Sequence, residues 1–277
     1  AISQDGRLVI AQNYTPGGIK VFDAATLELL SEVPTNSKVV GLADLAAQRF
    51  AYALFDAGEI WITDLADPRR PRTQKFAAGQ QPYDGLVTPN GRHYMAGLFG
   101  EDGIALLDTW QPQAGAKKIL ENYGKGQEKL PVFKMPHLRG WAVAGNRAYL
   151  PAIGRHEVLV VDTTTWQEVG RIPVKGQPVF VMARPDGRQV WVNFAFPDNA
   201  WVQVIDTPSS QVVQTLQPGK AILHMEFTPR GEEIWLSARD DNTVGIYDTA
   251  SFARKATLAV DSPSGIFFTA RAHRTGF

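Results

Sequence analysis

The chain contains no cysteine, which excludes thiol nucleophiles, disulfides, iron–sulfur clusters and cysteine-based zinc sites. It also has no net charge, since 28 Lys and Arg are balanced by 28 Asp and Glu. A neutral chain gives no support for nucleic acid or an anionic membrane as the main partner. An anionic ligand would therefore be held by locally placed arginines rather than by a global field. No apolar run approaches the ~18 residues that a membrane span requires. The first residues, AISQDGRLVI, lack the basic, apolar and small-residue succession of a signal peptide. Long stretches of 3.6-residue periodicity are missing, so helix content is expected to be small. No HxH or HxxxH spacing marks a metal site.

What the chain does contain is a repeat. A short apolar run closed by an aspartate recurs six times: IKVFD ending at Asp23, IWITD at Asp64, IALLD at Asp108, VLVVD at Asp162, VQVID at Asp206 and VGIYD at Asp248. The aspartates are separated by 41, 44, 54, 44 and 42 residues. Upstream of most lies a tight-turn sequence: Asp5-Gly6-Arg7, Asn90-Gly91-Arg92, Gly145-Asn146-Arg147, Asp186-Gly187-Arg188 and Arg230-Gly231-Glu232. Each unit reads as strand A, turn, strand B, polar loop, strand C, turn, strand D. Four short strands with a period of about 40–45 residues predict an all-β fold, a β-propeller of four-stranded blades. Residues 1–277 are read as one propeller domain of about six blades plus a lone C-terminal strand over Ser264–Phe268. Residues 1–3 are read as the tail of a strand A. The 54-residue interval holds an insertion around Gln111–Met135, a place for a functional or mobile loop.

Propeller geometry sorts the loops, because strand direction alternates. The D-to-A connections and B-to-C loops share one face, and the A-to-B and C-to-D turns share the other. The first face collects Asn13, Tyr14, Tyr83, Asp84, Phe99, Glu101, Asp102, His137, Arg139, Arg155, His156, Phe180, Asp198, Asn199, His224, Arg239 and Asp240. His93 and His273 fall on the opposite, structural face. His137 in MPHLRGW is either a packed histidine or a ligand-facing one. Asp102 in GLFGEDG is either a turn aspartate or a general acid or base. Residue spacing does not say whether Asp102 or Glu101 points inward. Arg139, Arg155 and Arg239 are either solvated rim charges or a convergent set that suits ligand carboxylates. Trp191, Trp201 and Trp235 are expected to pack between blades.

The segments AISQDGRLVIAQNYTPGGIKVFD, GLFGEDGIALLDTW, KMPHLRGWAVAGNRAYLPAIGRHEVLVVD and SGIFFTARAHR resemble the NirF family of heme d1 biosynthesis, related to NirN and to the d1-heme propeller of cytochrome cd1 nitrite reductase. The resemblance implies an eight-bladed propeller, of which this chain would lack the N-terminal blades, and a periplasmic location. It also implies binding of dihydro-heme d1 or a related iron tetrapyrrole on the channel face, with no other cofactor. His137 in HLRGW matches the reductase domain's HDGGW, and Asp102 resembles a loop acid of the family; both are carried over as catalytic. Asn13, Tyr14, Arg139, Arg155, His156, Phe180 and Arg239 are the expected tetrapyrrole-binding set. The family's iron-ligating histidine would precede this chain, so the metal ligand is left open. Two readings follow: an enzyme that modifies a heme d1 precursor, or a carrier that delivers it to NirN-like and nitrite reductase partners. A lactonase-like hydrolase would want a set of metal-binding carboxylates that the sequence does not supply.

Overall fold

The structure, a computed structural model, describes residues 1–121, 142–152 and 155–268. The chain divides into two compact units, Ala1–Lys125 with Thr269–Phe277 and Gly126–Phe268. The described residues form six antiparallel sheets in which each strand pairs with the next in sequence.

In the first unit, the first sheet holds β1 (Leu8–Asn13), β2 (Gly18–Asp23) and β3 (Leu29–Pro34). Ile2 makes a single bridge to Val9, the remnant of a first strand that residues 1–3 were expected to supply. The second sheet is β4 (Val39–Leu45), β5 (Arg49–Leu54), β6 (Glu59–Asp64) and β7 (Arg72–Ala77). The third is β8 (Pro82–Val87), β9 (His93–Leu98), β10 (Ile104–Asp108) and β11 (Ala116–Ile119). The second unit holds three more four-stranded sheets. These are β12 (Ala142–Ala144), β13 (Arg147–Ala152), β14 (Glu157–Asp162) and β15 (Glu168–Pro173); then β16 (Pro178–Ala183), β17 (Gln189–Phe194), β18 (Val202–Asp206) and β19 (Gln211–Leu216); then β20 (Ile222–Phe227), β21 (Glu233–Ala238), β22 (Thr243–Asp248) and β23 (Arg254–Ala259).

The repeat is built as the sequence predicts. Each recurring aspartate ends the last-but-one strand of its sheet and turns its carboxylate onto the amides that follow. Asp23 accepts from the Ala25 and Thr26 amides at 2.9 and 2.8 Å, and Asp162 from those of Thr164 and Thr165 at 2.8 and 3.0 Å. Asp206 and Asp248 make the same closure through Ser209 and Ser251. The residue four positions on, Leu27, Trp166, Ser210 or Phe252, then takes a left-handed backbone. The Asx-Gly turns hold as well: Gly6, Gly91, Gly187 and Gly231 all have φ between 70 and 75°, a region that glycine enters without a Cβ penalty. The second sheet makes this connection with a different turn, in which consecutive Ala47 and Gln48 lie at φ 60 and 55°, and the absence of a glycine is why the sequence pattern skips it.

Packing runs between neighbouring sheets. In the first unit Leu8, Ile10, Ile19 and Val21 of the first sheet meet Phe50, Tyr52 and Leu54 of the second. Ala53, Ile60 and Ile62 of the second then meet Tyr94, Ala96 and Leu107 of the third. In the second unit Trp191, 0% exposed, packs its ring against Phe227 and Phe252 of the following sheet. Middle strands are buried on both faces, as in β5 and β17, while fourth strands such as β7 and β23 are mostly exposed. Sealing both faces of a middle strand contributes about 1.5–3 kcal/mol per large apolar side chain.

Two expectations change. The segment AKKI, assigned to the insertion, is strand β11, whose two lysines are exposed on the outer edge; charged edge strands resist pairing with other chains. Of the insertion, only the part up to Glu121 falls within the described residues. Ser264–Phe268 is not a ladder strand: Ile266 donates its N–H to the His224 ring nitrogen Nδ1 (3.2 Å), a side-chain acceptor.

Candidate functional site

A shared irregularity prepares the site. In four sheets the first strand carries one extra residue against the second: between Val40 and Ala43, Tyr83 and Leu86, Pro178 and Val181, and Ile222 and His224. A bulge bends the strand and re-aims the side chains within it. Here the re-aimed stretches contain Asp84, Phe180 and His224. A bulge also frees backbone amides from the ladder, and buried amides need partners. Asn193 Oδ1 accepts the Phe180 amide at 2.8 Å, and Ser237 Oγ accepts the His224 amide at 2.9 Å.

In the first unit, loops from all three sheets meet on the predicted face. The Phe99 and Gly100 amides donate to the Gln81 and Gln80 carbonyls at 2.9 and 3.1 Å, which ties the B-to-C loop to the D-to-A connection. Phe55, Tyr83 and Phe99 pack with ring centroids 5.7–6.2 Å apart, the separation of mutually attractive edge-to-face rings. The Tyr14 and Tyr83 hydroxyls lie 3.1 Å apart. Lys38 Nζ stands 5.0 Å over the Phe55 ring and 3.1 Å from Asp56 Oδ1. The hydrogen bond to Tyr14, followed by burial, pushes the Tyr83 phenol well above its ordinary value.

Of the two acids left open by the sequence, Glu101 is tied to its own sheet. Glu101 accepts the Gln80 amide at 2.8 Å and the Lys118 ammonium, so it pins the loop to its own sheet. The Lys118 bond, ahead of the Gln80 amide, holds Glu101 below the usual carboxylate range. Asp102 is half-buried in the same loop. A third carboxyl, Asp84, lies in the β8 bulge next to Tyr83; it is 8% exposed, and burial raises it to about 8. The sequence places Asp84 on this face but gives it no role.

In the second unit, His224 is buried, with Phe180 edge-on at 5.3 Å and Phe267 tilted at 5.3 Å. Because Nδ1 accepts the Ile266 amide, the neutral ring carries its proton on Nε2. Asn193 also donates to the Ile222 carbonyl at 2.8 Å, locking β17 to β20. Arg155 and His156 sit in the loop between β13 and β14. His156 has φ 52°, and the buried Arg155 Nε has no hydrogen-bond partner among the described residues. Arg239 pairs with Asp240 at 3.0 Å and is half exposed.

Of the remaining candidates, Asn13 ends β1 opposite Gly18 and is half-buried, and Tyr14 follows it, 48% exposed. His137 and Arg139, like His273, lie outside the described residues. Among the described residues, no three His, Asp or Glu side chains gather where one metal ion would bind. No described helix is long and apolar enough to cross a membrane.

Residues 1–272 match the family described as cytochrome D1 heme domain. The chain is 54% identical to Protein NirF of Pseudomonas aeruginosa and 53% identical to Protein NirF of Stutzerimonas stutzeri, over its whole length and 73% of theirs. It is 27% identical to the dihydro-heme d1 dehydrogenase of Pseudomonas aeruginosa, over 96% of this chain and 54% of that protein. Among solved structures, dihydro-heme d1 dehydrogenase NirN in complex with DHE is similar at a TM-score of 0.79 and 24% identity, over 95% of this chain and 57% of that one. The Swd1 β-propeller domain from Myceliophteria thermophila is similar at 0.66 and 16% identity, over 95% and 86%. These likenesses make the fold a β-propeller.

Proposed function

The chain belongs to the cytochrome D1 heme domain family and, within it, to the NirF proteins of heme d1 biosynthesis, and from that membership we propose that it binds and processes a heme d1 precursor, dihydro-heme d1 or a related iron tetrapyrrole. The observation that carries this reading is the 54% identity to a NirF protein across the whole chain. The loop face of each unit, taken by itself, supplies suitable chemistry. Aromatic rings at Tyr14, Phe55, Tyr83 and Phe99 offer surface to a flat macrocycle. The buried Arg155 Nε, with no partner among the described residues, suits a ligand carboxylate. In the first unit the carboxyl groups suit proton transfer at the periphery of such a ring, while the tetrapyrrole and its iron would supply the redox chemistry. Asp102 and His137 are the proposed catalytic pair. The proposed setting is the periplasm, and the proposed partners are NirN-like proteins and cytochrome cd1 nitrite reductase.

Absorbance titration of the chain with dihydro-heme d1, followed by mass analysis of the ligand after incubation, tests both halves of this proposal. Binding with a changed ligand mass and spectrum is the expected result. Binding with the ligand recovered unchanged would assign a carrier role instead, and no binding would remove the tetrapyrrole reading. For the catalytic role, Asp102→Asn is expected to lower turnover at least tenfold with binding retained; unchanged turnover would exclude Asp102 as an acid or base.

A further inference from the structure

The bulges of β4 and β8 are built in the same register, and Gly41 and Asp84 occupy the same place in them. Both are left-handed, at φ +63° and +54°. Glycine enters this region freely, whereas a residue with a Cβ enters it at a cost; aspartate is among the few that tolerate it. The third sheet therefore places a carboxyl where its neighbour uses glycine. A residue held in a sparsely populated backbone region is a starting point for a functional hypothesis.

The surroundings leave Asp84 no room to relax. A Cβ on Gly41 would stand 2.5 Å from the Asp84 carbonyl carbon, and one on Gly85 would stand 2.1 Å from the Tyr94 hydroxyl. Tyr94 is fully buried and donates to the Gly41 carbonyl at 2.7 Å, pinning the two bulges together. Asp84 is thus held by backbone packing, directly after Tyr83 in the chain, whose ring belongs to the aromatic cluster. Glu101 in the neighbouring loop is committed to Gln80 and Lys118.

We propose that Asp84 is a ligand-contacting residue of the tetrapyrrole site, donating a hydrogen bond from its carboxyl to an oxygen substituent at the rim of the macrocycle. This rests on the function proposed above and adds a residue and a protonation state to it. A donor must carry its proton at working pH, and burial raises Asp84 to about 8. Two phenols lie within its electrostatic reach. Tyr83 is raised first by its bond to Tyr14 and Tyr94 first by burial, and the Asp84 carboxyl adds to both.

The test is a titration of the wild-type chain, Asp84→Asn and Asp84→Ala with dihydro-heme d1, followed by absorbance between pH 6 and 9. Wild-type affinity is expected to fall as the pH rises through 8. The asparagine variant, which keeps an N–H donor at every pH, is expected to lose that dependence. The alanine variant is expected to bind about tenfold more weakly at pH 7, the worth of one hydrogen bond. Alanine binding as tightly as wild type, or asparagine and wild type sharing one pH profile, would overturn the role of Asp84 and leave tetrapyrrole binding intact. No binding by the wild type at any pH would overturn both. If the alanine variant fails to melt cooperatively, the comparison of wild type with asparagine decides alone.

Discussion

Asp84 carries a consequence for stability that needs no ligand. Burial holds its folded-state value at about 8 against an ordinary 3.8. Between those values the native chain keeps a proton that the unfolded chain releases, so stability falls as the pH rises across that window. Each tenfold difference in proton affinity between the folded and unfolded chain is worth about 1.4 kcal/mol, so the penalty at pH 9 is on the order of a few kcal/mol. Asp84→Asn removes the titration. Its melting temperature is expected to exceed that of wild type at pH 9, with the gap closing toward pH 4, in thermal denaturation across that range. A gap independent of pH would mean that Asp84 titrates normally. Asp5 shows the opposite behaviour: the Ser3 hydroxyl, then the Arg7 amide and guanidinium, hold it at about 2.

At the scale of elements, the bulged first strands are the device that re-aims side chains in four of the sheets. Their cost is met by side chains of the second strand, and Asn193 makes the fullest case. It is 1% exposed, accepts the Phe180 amide and donates to the Ile222 carbonyl of the next sheet. Asn193→Ala leaves both backbone groups buried without this partner and is expected to destabilise by about 1–3 kcal/mol, measured by calorimetry. Asn193→Asp keeps the acceptor, loses the donor and buries a charge, so it should be at least as damaging at neutral pH and less so in acid. Gly85→Ala tests the bulge packing of the first unit. Its Cβ would meet the buried Tyr94 ring and hydroxyl at 2.1–2.7 Å, and overpacking of this kind costs typically about 1–3 kcal/mol.

For the whole molecule, the repeat multiplies one electrostatic motif. Asp23 and Asp162, bonded first to the backbone amides of Thr26 and Thr165, and Asp206 and Asp248, bonded first to Ser209 and Ser251, are all held below the usual carboxylate range. Glu233, bonded to Lys255, adds to them. Lowered values stabilise the fold above the ordinary carboxylate pKa, and that stability is lost as the pH falls through the folded values. Melting temperature is therefore expected to drop steeply from pH 4 toward pH 2, and replacing Asp162 and Asp206 with Asn should flatten the drop. An acid limb unchanged by the double substitution would place the titrating groups elsewhere.

The blade is legible in the chain before any folding is considered. Short apolar runs, Asx-Gly turns and the strand-closing aspartates are local signals, because each is read from a few consecutive residues. The segments that resemble NirF proteins were equally legible, as was the face on which Tyr14, Tyr83, Asp84, Phe99 and Asp102 emerge. What holds each residue on that face was decided only by the folded arrangement. The hold on Glu101 depended on Lys118 and Gln80 reaching it. That β4 closes on the Asp84 backbone depended on Gly41, where a Cβ would stand 2.5 Å from the Asp84 carbonyl carbon. Burial and close approach are made by residues distant in the chain, and no local pattern records them.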